Sequence, residues 1–502
     1  MSLYTSDLKF PVAAAVPSAE PSAAPVAHSA PDPVPLVVDL DGTLIKTDLL
    51  VESVVRLLRR NLLYLILLPF WLIRGKQAFK GELAKRVNLD IALLPYHPDF
   101  LDYLRRQHAA GRTLVLATAS HTLPARAVAL HLGIFSQVLA TDAERNLAGV
   151  HKLHALLALF GTKGFDYAGN ASPDLAIWPC ARRAILVNPE RGIEARARGL
   201  TEVEAVFSDR KPLLKVIVRA IRVHQWLKNL LVFLPLIGAH AWGDPAAILL
   251  SLLAFAAFSL CASAIYLIND ALDLDSDRAH SRKRFRPLAA GDFSLLAGGL
   301  LMPLLLAGGL AIGAVVSLNF LLVLLLYVLA TCAYSFALKS YVLIDVLLLA
   351  ALYTLRVIGG AAAIDVFPSF WLMALSMLLF TSLALVKRCA ELESLRGNEK
   401  DSARGRDYHV FDLPNLTSLG TSTATGAAVI LALYINSPDV AEHYRTPQAL
   451  WLLCPLLMYW TGRMWLITGR GEMHDDPIIY SARDKPSWVV AGLGLLLILI
   501  AV

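Results

Sequence analysis

Cysteine is scarce in this chain. Its five residues (Cys180, Cys261, Cys332, Cys389 and Cys454) show no C-x-x-C spacing and lie mostly in apolar surroundings. That pattern argues against a thiolate metal site or a disulfide framework and reads them as small unpaired hydrophobes. The sequence shows no nucleic-acid module, so its net charge of +6 calls for a different partner. Residues 1–33 lack a sustained apolar run, and their Ala, Pro and Ser content predicts a disordered tail rather than a signal peptide. Charge is sparse too: 17% of residues are charged against 56% hydrophobic, and the mean hydropathy is +0.57. Such a composition excludes an ordinary soluble enzyme. Most of the apolarity lies beyond residue 228, which together with a length of 502 residues predicts more than one domain.

In the less apolar half, Pro35-Leu-Val-Val-Asp39-Leu-Asp41-Gly-Thr-Leu44 reads as a buried strand that ends on two carboxylates and a glycine turn. A spacing of two puts both side chains on one side of an extended chain. One carboxylate can then attack phosphorus while the other protonates the leaving oxygen. The segment resembles the first motif of haloacid dehalogenase-like (HAD) phosphohydrolases. On that resemblance Asp39 and Asp41 are catalytic, Thr118 in Thr113-Leu-Val-Leu-Ala-Thr118-Ala-Ser120 binds the transferring phosphoryl, and Lys152 neutralises nucleophile and phosphate. The fourth motif resembles Tyr167-Ala-Gly169-Asn170-Ala-Ser-Pro-Asp174, with Asn170 standing where an acid is usual. The resemblance implies Mg²⁺ held by Asp39, Asn170 and Asp174.

Strands at Leu36–Leu40, Thr113–Ala117, Phe165–Gly169 and Ala184–Val187, alternating with helical stretches, predict an α/β doubly wound parallel sheet over 34–190. Residues 48–102 are expected to form a small helical cap. Its run Leu62–Ile73, flanked by Arg59, Arg60, Arg74 and Lys76, is short for a bilayer span and fits an interfacial helix better than a buried one. Residues 191–214 read as a basic linker, and 215–502 as a membrane domain. There, apolar runs from about Asn229–Trp242 to Trp488–Val502 predict an all-α bundle of about nine transmembrane helices. The loops around Arg278–Arg286, Lys387–Arg406 and Arg463–Lys485 concentrate basic charge on one side, which makes that side cytoplasmic at the inner membrane, with the soluble domain on it.

The most acidic stretch follows the run Ala246–Leu267 and carries Asn269, Asp270, Asp273, Asp275 and Asp277. If the helix continues past Asn269, then Asn269, Asp273 and Asp277 fall at i, i+4 and i+8, with Asp270 beside that row. Such a face repels itself unless a cation sits on it. Hard oxygen ligands suit Mg²⁺, which is typically completed by substrate phosphates, and Arg282, Lys283, Arg284 and Arg286 can hold the remaining phosphate charge. A solvated loop would need neither the apolar flanks nor the helical spacing.

Asn269-Asp270-x-x-Asp273-x-x-x-Asp277 with Arg286-Pro287 resembles the first signature of the UbiA superfamily of intramembrane prenyltransferases, which implies a bundle of nine transmembrane helices, a Mg²⁺–diphosphate site and catalytic roles for Asp270, Asp273 and Asp277. Arg222-Val-His224-Gln225-Trp226-Leu-Lys228-Asn229 resembles the first-helix signature of its decaprenyl-phosphate phosphoribosyltransferase branch, and so do Tyr334-Ser335-x-x-Leu338-Lys339, Asp345, Arg356, Lys387-Arg388-x-x-Glu391 and Asp476-Pro477. On that resemblance Lys228, Asn229, Lys283, Arg286, Tyr334, Lys339, Arg356, Lys387 and Arg388 bind substrate. Taken singly, Lys228, Lys339 and Lys387 also read as side chains snorkelling at membrane ends; a charge as deep as Arg356 normally faces a cavity.

The implied reaction joins phosphoribosyl diphosphate to polyprenyl phosphate with release of pyrophosphate, and the fused phosphatase then removes the ribose 5-phosphate. Within the superfamily the alternative is an aromatic-ring prenyltransferase with a regulatory HAD domain. It needs a second acidic site, for which the loop after Val386 offers Glu391, Glu393, Glu399 and Asp401. A non-enzymatic lipid-phosphate carrier is the remaining reading, and it has no evident need of so many carboxylates.

Overall fold

The computed structural model describes residues 32–142, 145–397, 407–437, 444–473 and 476–502. The expected tail, apart from its last two residues, and the acidic pair Glu399 and Asp401 therefore lie outside the described residues.

Six parallel strands form one sheet in the order β3-β2-β1-β4-β5-β6: β1 Leu36–Val38, β2 Leu114–His121, β3 Gln137–Thr141, β4 Asp166–Gly169, β5 Arg183–Val187 and β6 Glu202–Phe207. In the central strand Leu36 and Val38 enter one apolar core with Leu114 and Leu116, while Val37 enters the opposite one with Val115, Phe165 and Trp178. Burial on both faces explains why this strand reads as an unbroken apolar run. The four predicted strands are present. β6 lies inside the stretch expected to be a linker and pairs with β5 from Arg183–Glu202 to Val187–Phe207. Its sequence Glu-Val-Glu-Ala-Val-Phe is that of a half-exposed edge strand, so charge masked it; the linker starts after Phe207.

The cap is also shorter than expected. It comprises α1 (Leu49–Arg60), α2 (Tyr64–Ile73) and α3 (Lys76–Arg86). The helix Pro98–Ala109 instead puts Phe100, Leu101 and Leu104 into the sheet core. α2 leaves Leu65, Ile66, Phe70 and Ile73 exposed and buries Trp71, which rules out a buried cap helix.

Among the described residues seven helices are long and apolar enough to cross a membrane, or up to eight if Pro477–Arg483 and Lys485–Ala501, bent by 88°, count as one span. Polar caps set several starts: Asp244, Ser317, Ser369 and Asp484 each accept a backbone N–H of the helix that follows, satisfying donors that have no partner in the helix. The expected first span is not a continuous helix. Val223–Phe233 is a 3₁₀ segment and Leu234–Gly238 a short α-turn, because Lys228 and Asn229 interrupt the apolar face and Pro235 lacks the N–H a continuing helix needs. Pro245–Leu272 and Ile344–Ala363 are the most buried spans, and they carry Asp270 and Arg356, around which the remaining residues of the membrane-domain site gather from other segments.

Candidate active sites

The first site lies at the carboxyl ends of β1, β2 and β4. Asp39 follows β1, and its Oδ1 accepts a hydrogen bond from Lys152 Nζ at 2.7 Å. Lys152 also reaches the Tyr167 hydroxyl at 3.1 Å. Burial pushes the Asp39 carboxyl up to about 6, with Lys152 opposing the shift. Asp41 accepts from Ser120 Oγ at 2.6 Å, from Thr118 Oγ1 at 3.4 Å and from the backbone N–H of Leu49 at 2.9 Å. Burial, reinforced by Asp48, pushes Asp41 up to about 7, which leaves it a proton to donate near neutrality. Gly42 makes the turn at φ +77°, and a Cβ there would lie 2.4 Å from Asn170 Nδ2. Only glycine lets the β1 turn and Asn170 approach this closely.

Sequence reasoning placed Asp39, Asp41, Thr118, Lys152 and Asn170 in one site, and the fold brings them together. Asp174 is a correction. Its Oδ2 accepts from the backbone N–H groups of Asn170 and Ala171 (2.9 and 3.0 Å) and its Oδ1 from Tyr167 (2.8 Å), so it shapes the loop that carries Asn170 and does not present a free carboxylate to a metal. Ser120 was missed, although it stands two residues beyond Thr118 on the same face of a strand.

The second site is at the end of Pro245–Leu272. That helix kinks at Asp273 and continues as the short helix Leu274–Ala279; the expected row of Asn269, Asp273 and Asp277 is bent there but still linked by backbone hydrogen bonds from Asp273 to Asn269 (2.9 Å) and from Asp277 to Asp273 (2.8 Å). Asp270 and Asp277 come together through Arg286, whose Nη1 lies 3.1 Å and 2.6 Å from them. Arg222, in the left-handed region at φ 54°, also pairs with Asp270 and covers the Tyr266 ring at 5.0 Å. Asp273 lies 3.7 Å from Lys339. Burial raises the Asp277 carboxyl above its ordinary value, with Arg286 opposing. Among the described residues no group of three or more His, Cys, Asp or Glu could hold a metal by itself. Two buried carboxylates with hard oxygens nonetheless fit Mg²⁺, which takes one or two protein ligands and completes its shell with water and substrate phosphates.

The segment 222–229 runs along the same helix. Arg222 meets Asp270, Trp226 Nε1 donates to Ser263 Oγ (2.9 Å), and Asn229 Nδ2 donates to Ser259 Oγ (3.0 Å). Beside it Arg356 Nε donates to Asn229 Oδ1 at 2.8 Å and Nη2 to the Tyr327 hydroxyl at 2.9 Å. Lys228 and Lys387 converge on Asp476, 2.7 and 3.3 Å away. Burial alone would raise the Asp476 carboxyl, but the two ammonium groups hold it well below the usual range. The sequence offered Asp476 as a branch match without a role.

Arg388 and Tyr334, expected to bind substrate, lie in a different buried network. Arg388 pairs with Asp345 (2.5 Å) and Glu391 (2.8 Å) and donates to the Tyr334 hydroxyl (2.9 Å), while Tyr408 donates to Asp345. This arrangement ties helices together. Arg388→Met would leave Asp345 a buried, uncompensated charge and is expected to cost about 3–5 kcal/mol, measurable as a fall in the thermal unfolding midpoint of the detergent-solubilised protein.

These features define a multi-pass membrane protein whose helical domain carries a buried acidic–basic site and is joined to a parallel α/β domain with a paired-carboxylate site. Residues 230–478 match the UbiA prenyltransferase family and residues 36–164 the haloacid dehalogenase-like hydrolases. An uncharacterised protein of Sinorhizobium fredii, y4nM, is 37% identical over 92% of this chain and 89% of its own length. The decaprenyl-phosphate phosphoribosyltransferase of Mycolicibacterium smegmatis is 33% identical over 49% of this chain and 79% of its own. A solved UbiA homologue from Archaeoglobus fulgidus, bound to GPP and Mg²⁺, is similar at 18% identity and TM-score 0.43, covering 56% of this chain and 99% of that one. The chain belongs to the UbiA prenyltransferase family and carries an N-terminal HAD-like domain.

Proposed function

We propose that the membrane domain transfers phosphoribose from phosphoribosyl diphosphate to a polyprenyl phosphate, and that the HAD domain removes the 5-phosphate from the product, both at the cytoplasmic face of the inner membrane. The observation that carries this reading is the run of cations along Pro245–Leu272. Arg222 and Arg286 sit at the acidic end, and Lys228, Lys387 and Arg356 sit farther along. Two phosphorylated substrates require that much positive charge in a low-dielectric site.

In this reading Arg222 and Arg286 hold diphosphate oxygens at the carbon from which they leave. Lys228 and Lys387, kept side by side by Asp476, hold the lipid phosphate that attacks it. Bound at Asn269, Asp270, Asp273 and Asp277, Mg²⁺ would offset the charge that builds on the departing diphosphate. In the soluble domain Asp39 attacks the 5-phosphate, Lys152 holds the charge between them, Thr118 and Ser120 bind the phosphoryl oxygens, and Asp41 protonates the leaving ribose oxygen. Asp39 and Asn170 would hold the Mg²⁺ expected there, with Asn170 as its neutral ligand. Glu391, offered for a second acidic site, is tied to Arg388, which favours phosphoribosyl transfer over aromatic-ring prenylation.

Liposomes bearing the protein, given phosphoribosyl diphosphate, polyprenyl phosphate and Mg²⁺, are expected to release pyrophosphate and form lipid-linked ribose detectable by mass spectrometry. Turnover of an aromatic acceptor with a prenyl diphosphate, and none with phosphoribosyl diphosphate, would overturn the proposal.

A further inference from the structure

The soluble domain does not merely hang from the membrane domain; its first helix grips the acidic motif. Glu52 on α1 is fully buried and takes both Nη atoms of Arg278, at 2.6 and 3.0 Å. Arg278 immediately follows Asp277, and its Nε donates to the Ala289 carbonyl at 2.9 Å. One turn farther along α1, Arg56 pairs with Glu52 and with Asp275, its Nε lying 3.2 Å from the Asp275 carboxylate. Val55 packs between them into the apolar cluster that holds Leu267 and Leu274. A second contact closes the same interface: Gly291, at φ +72°, lies so close to Lys46 that a Cβ would sit 2.5 Å from the lysine Cβ.

The helix Leu274–Ala279 has six residues, too few to hold its own conformation, since short isolated helices are unstable. It stays tied to the long span before it, the Asp273 N–H bonding the Asn269 carbonyl at 2.9 Å and the Asp277 N–H the Asp273 carbonyl at 2.8 Å, but the one-residue kink at Asp273, φ −95° and ψ 14°, lets its direction depart from that span. The angle taken at that kink, and with it the aim of Asp277, is set by what the short helix is bound to on its other side. We propose that α1 of the soluble domain is a positioning element of the transferase site: Glu52 and Arg56 fix the Asp273–Arg278 turn in the orientation in which Asp277 meets a Mg²⁺–diphosphate. This rests on reading Asp270–Asp277 as the diphosphate site. Glu52 and Arg56 are positioning residues and touch no substrate. The opposite end of α1 belongs to the phosphatase, where Asp41 accepts the Leu49 N–H, so the helix is shared by both sites.

The test uses the full-length protein in lipid nanodiscs, with inorganic pyrophosphate and Mg²⁺ titrated by calorimetry and hydrolysis of a soluble phosphomonoester measured in parallel. The binding read is the part that Asp277→Ala removes. Glu52→Gln is expected to weaken it by about ten- to a hundredfold, the usual effect of losing a partner behind a metal ligand, with phosphomonoester hydrolysis unchanged. Exchanging the charges, Glu52→Arg with Arg278→Glu, should restore affinity that the single variants lose. Arg56→Gln removes a contact at the more exposed edge, keeps the protein folded, and should weaken binding in the same direction by less. Undiminished binding in both Glu52→Gln and Arg56→Gln would overturn the inference alone. A parallel fall of binding and hydrolysis that the charge exchange does not repair would also overturn it, since Glu52 would then only hold the fold. Wild-type protein with no Asp277-dependent binding would overturn the reading of the acidic segment, and the inference with it.

Discussion

Asp39→Asn is expected to stop the phosphatase while pyrophosphate release continues at the wild-type rate. The amide is isosteric, and it can still accept the Lys152 hydrogen bond that Asp39 Oδ1 now receives at 2.7 Å. It is a far poorer nucleophile, so the phosphoryl-enzyme should not form, and hydrolysis should fall by roughly three orders of magnitude or more. The lipid product would then accumulate with its 5-phosphate, a mass difference of one phosphate group read directly by mass spectrometry of extracted lipid. The same phosphorylated product from wild type and variant would mean that the HAD domain does not act on this lipid. Asn170 would be the first residue to suspect, because an amide in place of a carboxylate weakens the Mg²⁺ site.

Asp277→Ala should produce the opposite pattern. It removes a buried carboxylate that shares Arg286 with Asp270 and leaves that guanidinium to pair with Asp270 alone. In the proposed reading it also takes away a ligand of the Mg²⁺ that would offset charge on the departing diphosphate, and pyrophosphate release is expected to fall by at least roughly 10²-fold. Hydrolysis of a soluble phosphomonoester should be unaffected, because the two sites use separate carboxylates. Asp273→Ala is expected to be milder, since Asp273 is partly exposed and its lysine partner stands 3.7 Å away. Equal losses in both variants would argue that the kink at Asp273 straightens when substrate binds. Pyrophosphate release in Asp277→Ala at the wild-type rate would remove this segment from the catalytic site.

Much of the HAD-domain site was legible because its signals are local. Asp39 and Asp41 are two residues apart on a strand, and Gly42 is required by the turn that follows; β2 and β4 announce their ends in the same way. β6 was not legible, because its six residues, two of them glutamates, stand between basic stretches at Arg191–Arg198 and Arg210–Lys211 that dominate the reading of the segment. In the membrane domain the hydropathy of Leu295–Val316 or Phe370–Arg396 marks a span without help from any neighbour. The segment 223–238 misled for the converse reason: it is apolar enough for a span, but its polar residues turn inward and its proline stops the helix.

Residue spacing and composition by themselves determined that an α/β domain with paired carboxylates at a strand end precedes a membrane bundle, and which acids and bases are candidates for chemistry. Tertiary structure alone decided how those groups are aimed. It kinked the acidic helix at Asp273, set Arg222 and Arg286 against Asp270, joined Lys228 and Lys387 through Asp476, and moved Arg388 and Asp174 into structural networks. It also placed Glu52 on Arg278, 226 residues away. Hydrophobic periodicity and turn chemistry act over a few residues and so can be read from the chain. The pairing of buried charges depends on which surfaces the finished fold presses together, because a charge removed from water must take whatever partner the packing supplies.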